Sequence, residues 1–131
     1  MIDVETYIFN SAYDAVAPLC AKGGYRSVPT PRPTVFPTVT LFEMGNRTDA
    51  GRKTALPTED YAILTYEAHV YANSRKECRE VFSALDDELM KLNMIRISGD
   101  YSPSTVNTKV QEYVARYRVE VDREGMLYRR S

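Results

Sequence analysis

At 131 residues, with 44% apolar and 27% charged side chains, the chain has the composition of one ordinary globular domain, long enough to bury roughly two-thirds of its unfolded surface. A formal charge of −1 excludes a global field that would recruit nucleic acid or an anionic membrane. No apolar run reaches the roughly 18 residues a membrane span needs, and Met1-Ile2-Asp3-Val4-Glu5 lacks the basic flank and apolar core of a secretory signal, so cytoplasmic synthesis is the default expectation.

Residues 3–20 read as one helix. Asp3 is the expected N-cap and Glu5 suits the positive end of the helix dipole, while Val4, Ile8, Ala12, Ala15 and Leu19 share a face. Pro18 should end or kink this helix, and Gly23-Gly24 should turn the chain. Pro29, Pro31 and Pro33 limit residues 25–34 to an edge strand or an extended connector. Residues 35–44 read as a strand with apolar residues on both faces, which suggests cover on both sides. Residues 45–59, with two glycines, Pro57 and polar neighbours, are expected to form a long mobile loop, locally basic through Arg47, Arg52 and Lys53.

Residues 60–72 alternate, with Ala62, Leu64, Tyr66, Ala68 and Val70 on the expected core face. The helix at 75–92 is announced by Ser74-x-x-Glu77, a capping-box spacing, and by a stripe of Cys78, Val81, Phe82, Leu85, Leu89 and Leu92. Residues 94–101 read as a strand. Residues 110–122 form a second alternating strand, with Tyr113, Ala115, Tyr117, Val119 and Val121 facing one way. A turn at Asp122 to Gly125 leads to a short returning strand or tail. The order helix, strands, helix, strands predicts an α+β fold: a mostly antiparallel β-sheet with two α-helices packed on one face, in a single domain spanning 1–131.

No catalytic constellation is evident. His69 is the only histidine, lies mid-strand, and has no nucleophile-elbow sequence to serve. One histidine with the distant Cys20 and Cys78 makes a poor zinc set, and both cysteines are expected as buried reduced thiols. Gly45 and Gly51 do not complete a phosphate loop. No catalytic residue, metal site or cofactor is therefore expected. Ten tyrosines and no tryptophan suit half-buried sheet faces and interfaces.

One electrostatic feature is unusual. The helix at 75–92 starts with Arg75, Lys76 and Arg79 and ends with Asp86, Asp87 and Glu88, the reverse of what its dipole favours, at up to roughly 0.3–1 kcal/mol per charge. Asp87 and Lys91, four residues apart, recover a few tenths. Adjacent carboxylates on a helix diverge by about 100°, so the three acids read as a solvated face and not as a shared site. The basic end is expected to meet an acidic surface on a neighbouring copy, a heterologous contact of the kind that closes into rings.

The chain resembles the tail-terminator (tail-completion, or tail-to-head joining) proteins of long-tailed, siphovirus-like bacteriophages. The resemblance rests on the opening helix from Ile2-Asp3-Val4-Glu5 and on Phe36-Pro37-Thr38-Val39 entering the first long strand. It continues through Tyr66-Glu67-Ala68-His69-Val70-Tyr71-Ala72-Asn73 running into the helix with Cys78, Phe82 and Asp86, then Met94-Ile95-Arg96 with Pro103, and Tyr113-Val114-Ala115-Arg116-Tyr117 in the closing strand. It spans nearly the whole chain as a pattern of order and spacing, without a diagnostic motif. It implies a non-enzymatic virion protein, a homo-oligomer forming a hexameric ring at the head-proximal end of the tail after assembly in the host cytoplasm. Such a ring caps the tail tube protein, stops its polymerisation and meets the head connector. Genomic DNA would pass through its lumen without sequence-specific binding, and no membrane is involved. Arg47, Arg52 and Lys53 in the loop, and Arg129 and Arg130 in the tail, are the expected contacts to neighbours or tube. Three rivals stand beside this reading: another connector component such as a neck adaptor or stopper, a small-ligand or peptide-binding module, and an enzyme built around His69.

Overall fold

Alternation decides the two long strands at the centre of the molecule. In the computed structural model, which describes residues 1–30, 33–49, 60–102 and 110–128, β3 is Tyr61–Ala72 and β5 is Gln111–Asp122. They run antiparallel in unbroken register from Tyr61↔Asp122 to Ala72↔Gln111, so their apolar sets fall opposite each other: Leu64↔Val119, Tyr66↔Tyr117 and Ala68↔Ala115. All six of these side chains are buried, as are Ala62, Val70 and Val121. The core face is the one the alternation predicts.

Strand β2 (Thr38–Thr48) lies antiparallel beside β3, with Val39↔Val70 and Leu41↔Ala68. It continues through residues 45–48, four positions into the stretch expected to be loop. A bulge between Glu43 and Gly45 makes this continuation possible: it turns Met44 outward and restores pairing as Gly45↔Thr65 and Asn46↔Leu64. The amino-terminal segment fastens the bulge. Glu43 N–H donates to Glu5 Oε2 at 2.9 Å, and Asn46 Nδ2 donates to the Ile2 carbonyl at 2.7 Å. Residues 50–59 of the expected loop lie outside the described residues. Thr38 to Leu41 are buried on both faces, as the two-sided apolar pattern predicts.

The two-residue β1 (Tyr25–Arg26) joins β2 as a parallel edge strand. The approach requires glycine at Gly24, where a Cβ would meet the Pro37 carbonyl at 2.7 Å and that of Ala21 at 2.8 Å. On the far side, β4 (Ile95–Ser102) pairs antiparallel with β5, and β6 (Leu127–Tyr128) continues along the same side of β5 at Glu120 and Val121. The sheet order is β1-β2-β3-β5-β4. All pairings except β1 with β2 are antiparallel.

Helix α3 (Arg75–Lys91) connects β3 to β4, with β5 inserted between those strands, a split β-α-β arrangement. Its start is the predicted one: Ser74 Oγ accepts from Glu77 N–H at 3.2 Å. Its end is a Schellman motif. Asn93 adopts φ 66°, Asn93 N–H donates to Met90 O at 3.1 Å and Met94 N–H to Leu89 O at 3.2 Å. Cys78, Val81, Phe82, Leu85 and Leu89 are buried against the sheet.

The first helix departs from expectation. Residues 3–20 form α1 (Glu5–Ser11), α2 (Tyr13–Val16) and a 3₁₀ turn at Ala17–Leu19. Ser11 Oγ donates to the Tyr7 carbonyl at 2.7 Å, a back-bond of the kind that bends helices, and the break at Ala12 follows directly. Val4, and not Asp3, occupies the cap position, although Asp3 Oδ1 does accept from Glu5 N–H at 3.2 Å. Val4, Ile8, Ala12 and Val16 are buried in the same core as α3, while Leu19 is exposed. The fold is α+β, with both helical segments on one face of a mostly antiparallel sheet.

Both cysteines are free thiols. Burial pushes each up to about 11, so neither is a thiolate at neutral pH. Cys78 Sγ donates to the Val70 carbonyl at 3.5 Å; Cys20 is half-buried.

Candidate assembly interface

The basic end of α3 is held by the edge strand. The guanidinium of Arg75 stacks over the Tyr101 ring at 4.1 Å, and Arg79 Nε donates to Tyr101 Oη at 3.1 Å. Beneath them Tyr113 stands edge-on to Tyr101 at 5.0 Å between ring centres, and Phe82 packs on Tyr113 at 4.4 Å. Gly99 lies directly against the Tyr113 hydroxyl, where a Cβ would collide with it. Arg79, Phe82, Tyr101 and Tyr113 line a shallow cleft of about 270 Å³. Lys76 is exposed on the neighbouring turn.

The acidic end divides into three different roles. Asp86 turns inward: its Oδ1 accepts from the buried Tyr117 hydroxyl at 2.6 Å and lies 3.3 Å from Arg96 Nη1. Desolvation, with the bond to Asp86 second, raises the Tyr117 hydroxyl above the usual phenol range. Glu88 pairs with Lys91 at 3.1 Å, so Lys91 reaches back three residues to Glu88 instead of forming the expected bond to Asp87. Asp87 is exposed. The charges on α3 that run against its dipole therefore find partners within the chain, Tyr101 at one end and Tyr117, Arg96 and Lys91 at the other. The expectation that Asp86, Asp87 and Glu88 form one solvated face holds for Asp87 alone; Asp86 and Glu88 are partly buried.

Beyond the last turn of α3, Tyr7, Leu92, Met126 and Leu127 line a second, larger groove of about 390 Å³, edged by Lys91, Asn93 and Glu124. The β5–β6 turn that forms its wall is tied by its own hydrogen bonds. Asp122 Oδ1 accepts from Glu124 N–H and Met126 N–H, each at 2.9 Å, and Gly125 takes φ 87°. These backbone donors hold the Asp122 carboxyl below its ordinary range. Arg47 is exposed near the end of β2, paired in register with Ile63 and apart from both clefts. Arg52, Lys53, Arg129 and Arg130 lie outside the described residues.

His69 sits on the face of the sheet opposite the helices. Its Nδ1 lies 3.2 Å from Glu112 Oε2 and its Nε2 lies 3.5 Å from Glu67 Oε2. Its ring stacks between Phe42 at 5.9 Å and Tyr71 at 6.0 Å. Glu67 also meets Arg116 Nε at 3.5 Å. A nucleophile-activating histidine must face a hydroxyl or thiol with one nitrogen, and here both nitrogens face carboxylates. Among the described residues, no group of three His, Cys, Asp or Glu side chains is placed to hold a metal ion.

No protein-family model matches this chain, and no curated protein matches it. Among the described residues, no helix is long and apolar enough to cross a membrane.

The residues that build the two clefts were not all visible to sequence reasoning. Arg75 and Arg79 stand out by charge, but their partner Tyr101 is 22 residues beyond Arg79 on a different element, and only the register of β4 on β5 brings it there. Tyr7 on α1 and Met126 just before β6 come to one groove only at the end of α3, far from each other in sequence.

Proposed function

We propose that this protein is a structural subunit of a long-tailed phage virion, a tail terminator that assembles into a ring, caps the completed tail tube and offers a surface to the head connector. The observation that carries the reading is the placement of the segments on which the resemblance rests. Phe36-Pro37-Thr38-Val39 leads into β2; Tyr66 through Asn73 runs without a break from β3 to the capped start of α3; Met94-Ile95-Arg96 opens β4; Tyr113 through Tyr117 lies in β5. The seam between β3 and α3, where many α/β enzymes place a catalytic loop, is occupied here by two residues alone, Asn73 and the capping Ser74. The lone histidine is committed to carboxylates. Both features favour an assembly part over a catalyst.

Light scattering after size exclusion, with negative-stain imaging, tests the proposal. Rings of about six copies, formed alone or on adding tail tubes, are the expected result. A chain that stays monomeric at every concentration and ignores tail tubes overturns it.

A further inference from the structure

The two clefts sit at opposite ends of α3 and carry different side chains. At the first, Arg75 and Arg79 rim an aromatic floor of Phe82, Tyr101 and Tyr113. At the second, Met126, 59% exposed, projects from the β5–β6 turn beside Glu124, with Asp87 exposed on the last turns of the helix. Arg79 and Lys91 are separated by about 18 Å of helix rise, so one subunit presents both surfaces without their interfering. Each surface is prepared for contact. Tyr101 holds the two guanidiniums in place, which lowers the ordering cost of receiving a carboxylate. The Asp122 carboxylate fixes the turn that carries Met126 and Glu124. A thioether against aromatic edges and a carboxylate against paired guanidiniums are both favourable contacts.

From this complementarity we infer that the occupant of the Arg75/Arg79 cleft is the β5–β6 turn of a second copy of this chain. Met126 enters the aromatic floor and Glu124 meets Arg79. The inference rests on the self-assembling reading above, and not on the phage role itself. Because donor and acceptor surfaces differ, the contact is heterologous: every copy gives one turn and receives one, and the series closes into a ring when the rotation between copies permits.

The test is a charge swap in the full chain, read by analytical ultracentrifugation, with circular dichroism and urea unfolding to show that each variant is folded. Arg79→Glu and Glu124→Arg should each weaken association on the order of tenfold or more, and Met126→Ala should also weaken it. The chain carrying both Arg79→Glu and Glu124→Arg should associate again, since each contact then pairs a reversed donor with a reversed acceptor. Recovery in the double variant also excludes misfolding as the cause of the single losses. Both single variants forming rings as wild type does, or a double variant that stays dissociated, overturn this contact while leaving the ring reading intact. A wild-type chain that never associates overturns both.

Discussion

Tyr117→Phe isolates the bond between the sheet and α3. The ring stays, so no cavity opens, and the only atom lost is a hydroxyl that is fully buried and 2.6 Å from Asp86 Oδ1. Hydrogen bonds to charged partners contribute roughly 1.5–3 kcal/mol. Asp86 keeps Arg96 at 3.3 Å and its side chain is 19% exposed, so the loss falls at the lower end of that range, about 1.5–2 kcal/mol. For a chain of this size that corresponds to a fall in Tm of roughly 5–10 °C. Tyr66→Phe is the internal control. Its hydroxyl is equally buried but donates over 3.2 Å to Glu43 Oε1, and its loss should cost less, about 0.5–1 kcal/mol. Urea unfolding monitored by circular dichroism measures both, and the denaturant slope should not change. Adding Asp86→Asn and the double variant closes a cycle whose coupling should be about 1 kcal/mol. A Tyr117→Phe loss under about 0.5 kcal/mol, or a larger loss for Tyr66→Phe, would refute the assignment of this bond as the stronger tie.

Three further outcomes follow from the same packing. Leu89→Ala removes a fully buried side chain from the last turn of α3 and should cost about 2–5 kcal/mol in urea unfolding, the spread reflecting how far the site collapses. Ser74→Ala removes the cap of α3 and should cost about 1 kcal/mol, whereas Ser74→Asp should cost close to nothing. Burial, opposed by the Tyr66 bond and reinforced by Glu5, raises the Glu43 carboxyl above 4.5. The folded state therefore binds this proton more tightly, and the associated stability is present below 4.5 and lost as pH rises through the folded value. Glu43→Gln should unfold at a higher temperature than wild type at neutral pH, and the two melting curves should converge in acid; a constant offset across pH would contradict the assignment.

How much of this was legible varies by element. The strands at Tyr61–Ala72 and Gln111–Asp122 announce their core faces because a period of two leaves no ambiguity when every second residue is apolar or aromatic. The cap at Ser74 is local chemistry, complete within four residues. The break at Ala12 was not legible, since it depends on which way a serine hydroxyl turns. The length of β2 was hidden by Gly45 and Asn46, which look like loop residues until a bulge and the amino-terminal segment give them partners. The charges on α3 were legible as an anomaly, but its cause was not, because Tyr101, Arg96 and Tyr117 come from two strands that follow the helix in sequence.

Tyr66 and Tyr117 are direct register partners at the centre of the sheet, yet their hydroxyls reach in different directions: one to Glu43 at the bulge of β2, the other to Asp86 on α3. Apolar contacts between a helix and a sheet resist separation but tolerate sliding, since one methyl group is much like the next. A phenol–carboxylate bond does not, because a shift of a single turn breaks it. Tyr117 therefore works as a dowel between the sheet and the helix layer, fixing them against shear as well as against peeling, while Tyr66 pins β3 to the bulge of β2 within the sheet.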